Sequence, residues 1–144
     1  MINKHSIAGR LVVSKTIGFI IGVLAIFTLL LISIETTLEF KLGFVLLIMM
    51  MSVMIGLLGV FSEHPMFPGF KLRWWSRGPV VGISFFLILV LFAQDELGPF
   101  MSLDIVASMG LTSPYWALLD GAALGGLIGY ITTKVCGEGN LPLK

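Results

Sequence analysis

The chain has 144 residues, of which 57% are hydrophobic and only 12% are charged. A soluble domain carries about 25% charged residues, because its surface has to stay in water. The composition therefore excludes an ordinary soluble domain and predicts an integral membrane protein with the lipid bilayer as its first partner. The formal net charge of +1 gives no reason to expect a nucleic-acid partner.

Four apolar stretches account for most of the chain. A membrane-spanning helix needs about 20 mainly apolar residues, within a range of about 17 to 25. The stretches predict an all-α fold, a bundle of four transmembrane helices that forms one membrane domain over residues 1–144. The predicted spans cover residues 13–34, 42–62, 79–95 and 114–134. The third is the shortest of the four.

The basic residues predict the orientation of the bundle. Lysine and arginine in short loops are retained on the cytoplasmic side of a membrane. All of them except Lys41 precede span one, lie between spans two and three, or follow span four: Lys4, Arg10, Lys15, Lys71, Arg73, Arg77, Lys134 and Lys144. Both termini and the loop 63–78 are therefore predicted to be cytoplasmic, and the loop 95–113 to be outside. A bacterial inner membrane is the expected location.

The cytoplasmic loop ends in a cluster of aromatic and basic side chains. Its members are Arg73, Trp74, Trp75 and Arg77. Indole rings and cations suit the headgroup layer of a membrane, so the cluster predicts an interfacial anchor. A docking site for another protein is the alternative interpretation.

The outer loop contains a second segment with its own pattern. Residues 98–110 predict a short amphipathic helix that lies on the outer surface between spans three and four. Pro99 is expected at its start and Gly110 at its end. Pro79 is likewise expected in the first turn of span three.

Span four has one side with almost no side chains. The small residues expected to pack there are Ala117, Gly121, Gly125 and Gly129. Small residues at four-residue spacing let two helix backbones approach closely, which drives association inside a membrane. The pattern predicts close helix packing, with a partner either in this chain or in another. Span one has a lesser version of it in Gly18 and Gly22.

Asp120 lies on the opposite side of span four, within the apolar run. An ionised aspartate there costs a few kcal/mol unless it is paired, hydrated or protonated. We expect it to contact Lys41, directly or through water, with Thr28 and Ser33 as alternative hydrogen-bond partners. Two interpretations remain open, a place in a proton, cation or substrate route and a polar contact that fixes how the helices pack.

Few other residues suggest chemistry. The candidates predicted on the cytoplasmic side are His5, Glu63, His64, Cys136 and Glu138. They have no metal-ligand spacing such as C-x-x-C or H-E-x-x-H, so neither a metal, a cofactor nor a catalytic residue is predicted. The methionines of residues 49–54 are better explained by packing than by copper binding.

Three functions are compatible with this sequence. The first is a non-enzymatic subunit or accessory component that assembles with itself or with other membrane proteins through helix contacts. The second is a small oligomeric transporter or channel with Asp120 in its route. The third, a membrane enzyme that uses cytoplasmic histidine and glutamate, has the least support because no catalytic motif is present.

Overall fold

The computed structural model describes residues 7–32, 34–61, 63–64, 67–71 and 73–137. Within these ranges most of the chain is helical, and one short hairpin is present. The helices are α1 (Ile7–Leu31), α2 (Leu38–Leu58), α3 (Trp74–Phe92), α4 (Gln94–Met101), α5 (Asp104–Ser108), a 3-10 turn (Pro114–Trp116) and α6 (Ala117–Cys136). The hairpin pairs β1 (Glu63–His64) with β2 (Phe67–Lys71) antiparallel, inside the predicted cytoplasmic loop.

Three of the helices, α1, α2 and α3, are long and apolar enough to cross a membrane. They contain 25, 21 and 19 residues, which is the length that a bilayer requires. Helix α6 contains 20 residues, but its glycines, threonines and Asp120 make it less apolar than the others. The predicted helical fold is confirmed with three candidate spans, and the fourth span stays a prediction.

Two prolines expected at helix starts lie inside helices instead. Helix α3 begins at Trp74 and continues through Pro79, and α4 begins at Gln94 and continues through Pro99. A proline beyond the first turn removes one intrahelical hydrogen bond. In α3 the residues before the proline pack against α6, and this packing extends the helix toward its N-terminus.

The predicted outer surface helix is present as two shorter helices. Helix α4 begins before the expected start, and a turn separates it from α5. Gly110 follows α5 with a φ of 73°, a conformation that glycine adopts more easily than other residues. The segment therefore ends where the sequence predicts, but it does not form one continuous amphipathic face.

The most extensive contact between helices joins α3 and α6. A Cβ atom added at Gly121 would lie 2.6 Å from the carbonyl oxygen of Gly82, and one added at Gly78 would lie 2.9 Å from the carbonyl carbon of Gly125. Since Gly78 meets Gly125 and Gly82 meets Gly121, the two helices are antiparallel. The glycine side of α6 is thus buried, and its partner lies within the same chain.

Small residues also join α1 to α2. Ser14, Gly18 and Gly22 are buried on one side of α1 at four-residue spacing. A Cβ atom added at Gly18 would lie 2.6 Å from Cβ of Ser52, and one added at Gly22 would lie 3.1 Å from Cα of Val45. Their order along the two helices makes this pair antiparallel as well. The fold therefore consists of two tight helix pairs, α1 with α2 and α3 with α6.

Arg10 connects the two pairs at one end of the molecule. Its side chain is only 4% exposed. The guanidinium donates to the carbonyl of Gly59 after α2, and to the carbonyls of Cys136, at 3.2 Å, and Gly137 at the end of α6. The last carbonyls of a helix lack intrahelical partners and carry partial negative charge, which a cation stabilises. One arginine therefore caps two helices of different pairs.

A second buried arginine lies beside the first. Arg77 is 3% exposed and donates to the hydroxyl of Thr133 at 2.6 Å. A Cβ atom added at Gly59 would lie 3.2 Å from Nη2 of Arg77, so both guanidinium groups approach this glycine. We call this side of the molecule the arginine end. The opposite side, which carries the loop between α1 and α2 together with α4 and α5, is called the acidic end because Asp95, Glu96 and Asp104 lie there.

Replacing Gly125 with alanine is expected to destabilise the fold by about 1–3 kcal/mol, the usual cost of overpacking. The new Cβ would lie 2.9 Å from the carbonyl carbon of Gly78 and 3.0 Å from Cα of Gly82, and backbone atoms yield less readily than side chains. The measurement is the thermal unfolding midpoint of the full chain in detergent. Gly126→Ala is the control, because its Cβ would meet the Pro79 ring only at 3.6 Å. Equal losses in both variants would contradict the close contact.

Arg10→Leu is expected to lower the free energy of unfolding by about 1–3 kcal/mol for each buried carbonyl that loses its donor. Arg10→Lys should recover part of the loss, because it keeps the charge but has no planar group to reach both helices. Lys15→Leu makes the same exchange at an exposed position of the same helix. If denaturant titrations give Arg10→Leu and Lys15→Leu the same stability, Arg10 does not hold the pairs together.

Candidate functional site

A cavity of about 610 Å³ separates the two helix pairs at the acidic end. Pockets that bind small molecules usually enclose about 300–1,000 Å³. All four long helices contribute to its walls, and α4 and α5 cover part of it. The cavity therefore has the size of a small-molecule site and lies between the two pairs at this end.

Apolar side chains form nearly all of the cavity wall. Five of them are aromatic: Phe40, Phe44, Phe86, Phe100 and Trp116. The rings of Phe44 and Phe86 meet edge to face across the two pairs, with centroids 6.2 Å apart. Phe40 lies 6.2 Å from Phe100 by the same measure, which brings α4 against α2. The remaining wall is mostly aliphatic, with Ala25, Leu29, Leu89 and Leu124 among its members.

Asp120 is the only residue with a charged side chain among the described residues that line the cavity. It follows the 3-10 turn that starts at Pro114 and falls in the first turn of α6. A carboxylate in the first turn of a helix is stabilised by the partial positive charge of the helix N-terminus. The helix that carries Asp120 therefore offsets part of the cost of placing a carboxylate there.

A direct polar contact between Asp120 and Lys41 is not present, and a contact through water stays a prediction. Both residues belong to the described part of the chain, and no hydrogen bond or ion pair joins them. Helix α2 turns Phe40 and Phe44 toward the cavity, and Lys41 is not part of the wall. The alternative partner Thr28 donates to the carbonyl of Leu24 within its own helix at 2.9 Å, and Ser33 lies outside the described residues.

A polar link holds α4 over the cavity. The hydroxyl of Thr37 donates to Oε1 of Glu96 at 2.9 Å. The hydroxyl oxygen of Thr37 also accepts the backbone N–H of Phe40 at 3.2 Å, and so Thr37 caps the start of α2. Leu97, the next residue of α4, is 5% exposed and lines the cavity. The cover of the cavity is thus attached to the α1–α2 pair as well as to α3.

The aromatic and basic cluster before α3 divides between surface and interior. Arg73 and Trp75 are exposed, as an interfacial anchor would be. Trp74 packs on the ring of Tyr130, with centroids 5.4 Å apart, and Arg77 is buried against α6. Half of the cluster therefore contributes to helix packing rather than to a free surface.

The residues considered for other chemistry are scattered or lie outside the description. Cys136 is 2% exposed at the end of α6. His5, Glu138 and the side chains of Glu63 and His64 lie outside the described residues. Within the described part of the chain, no group of three or more histidine, cysteine, aspartate or glutamate residues is arranged to hold a metal ion.

Sequence reasoning missed three features of the structure. Gly78 and Gly82, the partners of the glycine side of α6, form a Gly-x-x-x-Gly spacing that is visible in the sequence. Arg10 was interpreted as a charge that sets orientation, and nothing local in the sequence distinguishes it from Lys15. The aromatic lining also has no local signal, because its members come from four separate segments.

Comparison of the chain with known protein families, curated proteins and solved structures gives no match. The functional interpretation therefore depends on the residues and geometry of the cavity. Three properties matter most: a volume that suits a small molecule, an apolar and largely aromatic wall, and one carboxylate. Together they define a candidate site for a small, mainly apolar molecule.

A cysteine at position 123 is expected to react with a membrane-impermeant thiol reagent, because Ala123 lines the cavity next to Asp120 and an aspartate in a span is commonly hydrated. The measurement is the labelling rate in open membrane fragments. Leu127→Cys is the matched control, since it is a turn further along the same side and is not part of the wall. Native Cys136 is buried and should add little background. Equal labelling at both positions would contradict a hydrated cavity.

Proposed function

We propose that this chain is a small membrane transporter that binds a small molecule in the cavity at the acidic end and acts without enzymatic chemistry. The observation that carries the proposal is the apolar cavity with Asp120 in its wall. An ionisable side chain within a membrane segment suggests an ion or substrate route, because keeping it there is costly. Here the carboxylate faces a space of ligand size, which a purely structural contact does not require.

The proposed topology has four spans with both termini in the cytoplasm. Helix α6 lies antiparallel against α3 from Gly129 beside Trp74 to Gly121 beside Phe86, so a membrane that contains α3 also surrounds α6. Basic residues gather at the arginine end and acids at the other, which favours a cytoplasmic arginine end. The cavity then opens in the outer half of the bilayer, and a bacterial inner membrane remains the proposed location.

A subunit of a larger membrane complex is the second candidate. Helix α1 supports it, because only 17% of the most apolar stretch of this helix is buried inside the protein. Phe19, Leu24 and Phe27 are 52%, 58% and 58% exposed, and such a side faces either lipid or another protein, including a second copy of this chain. The glycine side of α6 supports this candidate less, since α3 already covers it.

Gentle extraction followed by native mass measurement distinguishes the two candidates. For a transporter we expect the chain alone, or with copies of itself, and with a small molecule bound. Ala123→Trp should release that molecule because it fills the cavity, whereas Leu127→Trp should retain it. Two results together would contradict the transporter and favour the subunit. They are other polypeptides bound at a fixed ratio, and no bound small molecule that is lost in Ala123→Trp.

A further inference from the structure

We propose that the cavity selects lipophilic organic cations with a single positive charge. The inference rests on the proposed function and specifies the class of its ligand. Its basis is the combination of one carboxylate, an aromatic wall and a ligand-sized volume in one place. The chemistry of these three features favours such a cation over metal ions and organic anions.

The charge of the ligand follows from Asp120. No hydrogen bond or ion pair connects its carboxylate to another described residue, and Lys41 does not line the cavity. Asp120 is exposed at the cavity wall, and an unpaired carboxylate within a membrane segment is costly. A partner of opposite charge offsets much of that cost. A cationic ligand supplies this partner. The described lining residues include no second carboxylate to pair with a second positive charge. The cavity therefore suits a cation with one positive charge.

The bulk of the ligand follows from the wall. Five aromatic rings line the space, and the faces of aromatic rings attract cations while also burying apolar groups. A metal ion such as Mg²⁺ or Ca²⁺ needs about six oxygen ligands or more, whereas the described wall offers one carboxylate. An organic anion would approach Asp120 with like charge. Aromatic or branched aliphatic groups around one ammonium or phosphonium centre satisfy both the wall and the carboxylate.

Two ions of nearly the same shape and opposite charge test this proposal directly. Tetraphenylphosphonium and tetraphenylborate each place four phenyl rings around one central atom. Their binding to the purified full-length chain in detergent is measured by equilibrium dialysis against protein-free micelles. We expect the phosphonium to bind at least about tenfold more tightly than the borate, a difference that corresponds to about 1.4 kcal/mol.

Variants of the carboxylates assign the selectivity to a residue. Asp120→Asn is expected to weaken phosphonium binding at least about tenfold, and Asp120→Glu should keep most of it because the charge remains. Asp95→Asn is the matched control, an exposed acid at the same end that does not line the cavity. A thermal unfolding midpoint for each variant separates lost binding from lost folding. The comparison of the two ions on the unaltered chain needs no variant.

Three results would overturn the proposal. They are equal binding of the two ions, no binding of the phosphonium, and a folded Asp120→Asn variant that binds it unchanged. The native mass measurement distinguishes this failure from failure of the proposed function. A bound small molecule that Ala123→Trp releases would leave the transporter in place with another ligand class, whereas its absence would remove both.

Discussion

The backbone contact between α3 and α6 determines the arrangement of the rest of the molecule. In lipid the hydrophobic effect adds little to helix association, so packing at backbone distance becomes a main source of stability. Gly78 and Gly82 meet Gly125 and Gly121 so closely that no side chain fits between them. Because α6 is fixed with its glycines toward α3, Asp120 lies away from that contact, on an exposed side of α6 that borders the cavity.

The two ends of the molecule differ in how that space is filled. At the arginine end, Arg10 bonds to the ends of α2 and α6, and fully buried residues such as Ile55 and Ile128 pack nearby. At the acidic end the pairs are separated by the cavity, and Thr37 and Glu96 hold α4 across it. The direct contacts between the two pairs are therefore closest at the arginine end, and open space lies at the acidic end.

Local patterns in the sequence predicted more of this structure than did long-range reasoning. The length of the apolar stretches predicted the long helices, and the four-residue spacing of small residues predicted which side of α6 packs against another helix. Both patterns depend only on neighbours along one helix. The direct contact expected between Asp120 and Lys41 is absent because helix α2 turns Phe40 and Phe44, and not Lys41, toward the cavity, and a contact through water stays a prediction. Arg10 could not be predicted, because the carbonyls that it binds lie 49 and 126 residues away.

The energetic position of Asp120 connects the fold to its proposed use. A charged residue inside a span costs about 2.5–3.5 kcal/mol at the membrane centre, and less near a surface. The helix N-terminus typically stabilises a carboxylate in the first turn by about 0.3–1 kcal/mol. Part of the cost therefore remains, and no described side chain of this chain offsets it. Water in the cavity, a proton on the carboxylate or a cationic ligand is left to do so, and a neutral asparagine would serve equally well if packing were the only requirement.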